Sequence, residues 1–149
     1  MLNNIDTSKL LFLDIETVPL TYRFSELNDT SKSLWDKKTK FLQEREGTSA
    51  DKVYEKAGIY AEFGKIICIS VGFMVQVKGE HQIRLKSFSG SDEKEVLQGF
   101  IDLLNSHYNH NSYMLCAHNG KEFDFPYISR RLLINQMKLP KLLDNAGKK

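Results

Sequence analysis

Leu10 to Pro19 reads L-L-F-L-D-I-E-T-V-P, an apolar run that ends in two carboxylates separated by a single aliphatic side chain. The run is of the kind expected for a strand buried on both faces. Side chains alternate along a strand, so Asp14 and Glu16 share one face while Leu13 and Ile15 take the other. Two like charges held side by side in a buried setting raise at least one carboxyl pKa unless a cation neutralises them. A divalent metal ion is the simplest such cation. The other reading open at this point is a strand end that has reached solvent.

An acid-x-acid pattern is short, and it recurs at Glu44/Glu46, Glu93/Glu95 and Glu122/Asp124. Setting separates the first pair from the next two. Glu44/Glu46 and Glu93/Glu95 lie in polar, helix-like surroundings and read as solvated helix faces.

With 149 residues the chain fits one domain with a substantial core. Its formal charge of +2 is too small to mark a nucleic-acid binder by net charge, so any binding patch must be local. Cys68 and Cys116 sit in apolar strand-like runs, without the paired spacing of a zinc site or the spread of a disulfide framework, and read as buried thiols of a reducing compartment. Met1 to Ser8 lacks the basic start and apolar core of a signal peptide, and no apolar run approaches the length of a membrane span. A cytoplasmic protein with no membrane partner is the expectation.

Thr21 to Lys65 is polar and charged, and about residues 22–62 read as a helical insert within one domain spanning 1–149. Two helical faces stand out in it: Leu34, Trp35, Phe41 and Leu42, then Ala50, Val53, Tyr54 and Ala57. Both read as amphipathic helices packed on something larger. The lysines here (Lys32, Lys37, Lys38, Lys40, Lys52, Lys56) suit a solvated outer face, with a phosphate path as the alternative. Ile66 to Val75 predicts a long strand, a turn follows near Lys78-Gly79-Glu80, and Gln82 to Phe88 predicts an antiparallel partner with Ile83 and Leu85 on its drier face. Ser91 is the expected cap of a helix running to about Ser106, with Val96, Leu97, Phe100, Ile101 and Leu104 as its buried stripe. A short strand, Tyr113 to Ala117, breaks at His118-Asn119-Gly120, and Pro126 opens a helix carrying Ile128, Leu132 and Met137. Three strands before the first main helix, then alternation, predict an α/β fold whose sheet mixes antiparallel and parallel pairs.

Ala117 to Tyr127, A-H-N-G-K-E-F-D-F-P-Y, lies at the end of the fourth strand and the start of a helix, where such folds place ligands. Asp124 there also suits a simpler role at the helix end, and Asn119-Gly120 suits a turn. Taken together, Asp14-Ile15-Glu16 and Asn119-x-x-x-Phe123-Asp124 resemble the first and second motifs of the DEDD superfamily of 3′-to-5′ exonucleases. The likeness is to the proofreading domain of family B DNA polymerases and to stand-alone predicted exonucleases related to it. Phe12 to Pro19, Phe63 to Val71 and Asn119 to Tyr127 carry it.

That resemblance implies a ribonuclease H-like mixed sheet with flanking helices, and phosphodiester hydrolysis with two divalent ions, Mg²⁺ or Mn²⁺, about 4 Å apart. It implies that Asp14 bridges both metals, that Glu16 binds the one carrying the nucleophile, and that Asp124 holds the other. It implies further that Thr17 sits near the substrate's 3′ end, with Asn119 and Phe123 shaping the site. The family's third motif, a further Asp four residues after Tyr or His, has no counterpart: Asp144 follows Pro140 at that spacing and reads as a surface residue. The expectation is therefore a fold without its C-terminal strand and helix, with little or no nuclease activity even with Mn²⁺ and prone to self-association through surface left uncovered. The substrate expected is the 3′ end of single-stranded DNA or RNA, with Tyr22, Phe125, Tyr127 and Arg130 as candidate contacts. A catalytically inactive binding or interaction module of the same fold is the alternative.

Overall fold

The computed structural model describes residues 5–144. Within it the chain forms two compact units, one built from residues up to Glu16 and from Ile66 onward, the other from Thr17–Lys65. The boundary falls inside two strands, β1 (Leu10–Pro19) and β2 (Gly64–Val77).

The first unit is α/β. Its four-stranded sheet has the order β3-β2-β1-β4, where β3 is Glu80–Ser89 and β4 is Met114–Cys116. β2 and β3 form an antiparallel hairpin with Val77 opposite Glu80. Its two-residue turn puts Lys78 and Gly79 at φ values of 52° and 87°, the left-handed region that a tight hairpin requires. β4 runs parallel to β1, pairing Leu10 with Met114 and Phe12 with Cys116. A mixed sheet with helices α3 (Glu93–His107) and α4 (Asp124–Ile134) beside it is the ribonuclease H-like arrangement implied by the resemblance.

Periodicity accounts for the core. Val96, Leu97, Phe100, Ile101 and Leu104 of α3 are buried, as are Ile128 and Leu132 of α4 and Leu11, Leu13, Ile15, Ile69 and Val71 of the sheet. The Phe88 and Phe100 rings meet edge to face at 6.4 Å, tying β3 to α3. Asp92, rather than Ser91, caps α3: its carboxylate accepts from the Lys94 N–H at 2.8 Å. Met137 falls outside α4, which ends at Ile134 as the backbone turns left-handed at Gln136 (φ 60°).

Several burial expectations fail here. β1 is buried on one face only, with Phe12, Asp14 and Glu16 exposed. Every residue of β3 except Phe88 is exposed, Leu85 at 81%, so the drier face expected for Ile83 and Leu85 is open. Cys68 and Cys116 are free thiols and only half-buried.

The second unit has its own core. Helix α1 (Asp29–Glu46) and the short α2 (Ala50–Val53), continued by a 3-10 turn over Tyr54–Ile59, enclose Leu27, Trp35, Val53, Tyr54, Ala57 and Phe63. The Trp35 indole donates to the Ala50 carbonyl at 2.8 Å and meets Tyr54, Tyr60 and Phe63 edge to face. These helices pack on each other. The buried face of α1 runs through Trp35 and Thr39, while Leu34 and Phe41, expected inside, are exposed. No helix among the described residues is long and apolar enough to cross a membrane.

Candidate active site

The parallel pairing of β1 with β4 governs the geometry. β4 stops at Cys116, opposite Phe12, while β1 continues past Asp14 to Pro19. The chain leaving β4 therefore turns beside the acid-bearing part of β1. Asn119 takes a left-handed conformation (φ 54°), which asparagine tolerates better than most residues, and its carbonyl accepts from the Glu122 and Phe123 N–H groups at 3.0 Å each. Gly120 is buried in that turn. A Cβ there would lie 2.6 Å from the Ala117 Cβ and 2.7 Å from the Phe125 ring, so no larger residue fits without displacement. The turn delivers Asp124 as the first residue of α4.

Asp124 is 2% exposed. Burial pushes its carboxyl above the ordinary aspartate value, and the neighbouring Asp14 charge adds to the rise. Its own backbone N–H, that of Ile15 and the His118 side chain act in the opposite direction without cancelling it. The structure thus brings Asp14 and Asp124, 110 positions apart in the sequence, into mutual repulsion. Glu16 lies on the exposed face of β1 that also carries Asp14. Among the described residues no group of three His, Cys, Asp or Glu side chains is arranged to hold a metal ion. Asp144 is exposed, beside a depression that Gln98, Asn105 and Gln136 also line.

Of the remaining residues singled out in the sequence, Thr17 is half-buried in β1 where the second unit begins. Asn119 is exposed, and Phe123 is half-buried with its ring centroid 5.4 Å from that of Tyr127. Tyr127, at 2% exposure, is packing and offers no face to a ligand. Phe125 is half-buried, Arg130 exposed and Tyr22 exposed. Beside Asp14 the open face of the sheet forms a shallow depression of about 400 Å³ lined by Phe12, Ser70, Gly72, Ile83 and Leu85.

A buried network missed in the sequence supports α4 from behind. Glu93, expected on a solvated helix face, is buried instead. It accepts from Arg131 Nε at 2.8 Å, from the Ile66 N–H at 2.7 Å and from the Asn135 amide at 2.9 Å, and it forms a second contact with the Arg131 guanidinium. One carboxylate thereby joins the first turn of α3, the start of β2 and the last turn of α4. Burial alone would raise its pKa, but the hydrogen bonds from Arg131, Ile66 and Asn135 and the Arg131 charge together hold it below the ordinary value of 4.5.

Residues 59–149 match a protein family described as predicted 3′-5′ exonucleases related to the exonuclease domain of PolB. The chain belongs to this family. The span matched by the exonuclease family holds Asn119, Phe123 and Asp124 and begins after β1, so Asp14 and Glu16 lie ahead of it. No curated protein matches the chain.

The donor chemistry of the Asp14–Asp124 pair suits a hard divalent cation, because both offer carboxylate oxygens and the Asp14 charge already acts on the buried Asp124. Glu16 shares the exposed face of β1 with Asp14.

Proposed function

We propose that this protein is a metal-dependent 3′-to-5′ exonuclease acting on single-stranded nucleic acid, DNA foremost, with Asp14, Glu16 and Asp124 as the metal-binding carboxylates. The observation that carries the reading is the juxtaposition of Asp14, within β1, with the buried Asp124 at the start of α4, beyond the end of the parallel strand β4; burial raises the Asp124 pKa and the Asp14 charge adds to it. Nothing in core packing calls for two repelling carboxylates there, whereas divalent cations would relieve the repulsion. Family membership supplies the reaction class.

When bound, two Mg²⁺ or Mn²⁺ ions supply an activated water and stabilise the leaving oxygen in an in-line displacement. The chain's part is to fix the oxygens. Asp14 is held by β1, and Asp124 by the Gly120 turn and the N-terminus of α4. Thr17 is assigned to the 3′ end of the strand, with Asn119 and Phe123 shaping the site around Asp124. An unpaired end is the preferred substrate because a terminal phosphodiester must separate from its complement to reach the acids.

The lack of a ready three-acid cluster among the described residues favours one competing reading, a binding module of the same fold that does not turn over. Two measurements separate the readings. Calorimetry with Mn²⁺ should show binding to the wild type that is lost in Asp14→Ala; equal binding by both proteins refutes the metal site. Incubation with a 3′-labelled single-stranded oligonucleotide and Mn²⁺ then reads turnover, and mononucleotide release by the wild type that is lost in Asp14→Ala selects the exonuclease. Oligonucleotide binding without release selects the binding module.

A further inference from the structure

Tyr22 is, at 88%, the most exposed large apolar side chain among the described residues. Its backbone is tied down. The Tyr22 and Arg23 N–H groups donate to one carboxylate oxygen of Glu26 at 3.1 and 3.4 Å. The Thr21 hydroxyl donates to the Arg23 carbonyl at 2.9 Å and lies 2.8 Å from the hydroxyl of the buried Tyr54. The segment then runs directly into the 3-10 turn Phe24–Glu26. An aromatic ring is thus held in water by a fixed turn anchored to the Trp35–Tyr54 core.

The ring's surroundings define what it fits. The Arg23 guanidinium carbon lies 5.9 Å from the ring centroid on one face, and the ring's high exposure leaves the other face open. The adjoining depression, about 400 Å³, is lined by Lys52 as well as Arg23, and by Asp51 and Glu55. Two cations and two anions cancel, so the pocket does not select a ligand by net charge. What remains is a flat, rigid π surface with a cation alongside. Every nucleobase has a complementary face, so stacking of this kind is indifferent to sequence. An enzyme that removes residues one after another from any strand needs a grip with that property.

We propose that the Tyr22–Arg23 turn is a stacking platform for an unpaired nucleobase, giving the Thr17–Lys65 unit a hold on single-stranded nucleic acid of its own. The choice of ligand rests on the nuclease reading above. Tyr22 takes no part in the chemistry; it holds the strand.

The test is fluorescence anisotropy with a labelled single-stranded oligonucleotide of mixed sequence, in a chelator so that no cleavage occurs. Tyr22→Ala should bind about tenfold more weakly than the wild type, while Tyr22→Phe, which keeps the ring, should stay within about twofold. The Tyr22→Ala factor should be the same at about 50 and about 200 mM salt, because stacking does not release counterions as phosphate contacts do. Unchanged binding by Tyr22→Ala, or a loss in Tyr22→Phe as large as in Tyr22→Ala, overturns the platform. The 3′-release assay on the same proteins keeps the two proposals apart. Release by the wild type with Tyr22-independent binding removes the platform and leaves the nuclease. Tyr22-dependent binding without release does the reverse, and a wild type that binds no oligonucleotide overturns the platform outright.

Discussion

Arg131→Met is the most informative single change, because it removes the cation from a buried pair while keeping most of the side chain's bulk. In the wild type Arg131 and Glu93 are 5% and 8% exposed, and the Glu93 carboxylate has three separate donors. Without the guanidinium, the Ile66 N–H and the Asn135 amide remain, and a carboxylate is stranded out of water. Breaking a buried pair from one side costs about 3–5 kcal/mol. With a urea slope of about 2 kcal/mol per molar, the unfolding midpoint should fall by roughly 1.5–2.5 M. Adding Glu93→Gln to Arg131→Met neutralises the stranded charge and should recover part of the loss. Acid supplies a second check. The folded-state pKa of Glu93 is depressed, so its contribution is complete above its ordinary value of 4.5 and is lost as pH falls through the lower folded value. The gap between wild type and Arg131→Met should therefore narrow below about pH 4.5. A midpoint within about 0.3 M of wild type at pH 7, or a double variant no better than the single one, would refute the reasoning.

Three further outcomes are expected. Asp124→Asn should melt at a higher temperature than the wild type at pH 7 without metal, because burial and Asp14 raise the Asp124 pKa and a charged carboxylate there works against folding. That advantage should fade as pH falls through the raised folded-state pKa and be gone once it reaches the ordinary aspartate value, and a lower melting temperature at pH 7 would contradict the assigned repulsion. Gly120→Ala should cost about 1–3 kcal/mol in urea titrations, since its methyl group meets Ala117 and Phe125 inside van der Waals contact; a neutral result would mean that the turn repacks freely. Leu85→Arg should shift sedimentation toward monomer if the open face bearing Phe12, Ile83 and Leu85 drives self-association, and concentration-independent sedimentation of the wild type would show that it does not.

The elements that the sequence announced were those specified locally. The period-two alternation through Leu13, Asp14, Ile15 and Glu16 put the acids on one face, and the stripe of α3 identified its own core. The Lys78-Gly79 turn and the Asn119-Gly120 corner were legible because few residues adopt those backbone conformations. What escaped depended on distant partners. Glu93 sits among charges like any solvated first turn, and it is buried among partners far away in the sequence, Ile66, Arg131 and Asn135. On α1, Leu34 and Phe41 are as apolar as Trp35, and the choice of inward face was made by the Tyr54–Phe63 segment, which helical periodicity does not see. The acid cluster divides the same way. Each acid was visible in its motif, but the burial of Asp124 and its opposition to Asp14 emerge only when β4 pairs with β1.

β1 and β2 are neighbours in the sheet, and the chain leaves at the end of one and returns at the start of the other. The excursion closes where the Leu20 N–H donates to the Phe63 carbonyl at 2.9 Å. Everything from Thr21 to Glu62 is therefore strung between two points about one strand spacing apart, roughly 4.8 Å. Such a stretch is a cassette. Doubling its length would add only about 0.6 kcal/mol of closure cost. A shorter or longer replacement need not shift the strand register that sets Asp14 and Glu16. Exchanging the cassette would remove Tyr22 and its turn and leave β1, with Asp14 and Glu16, paired to β4 as before.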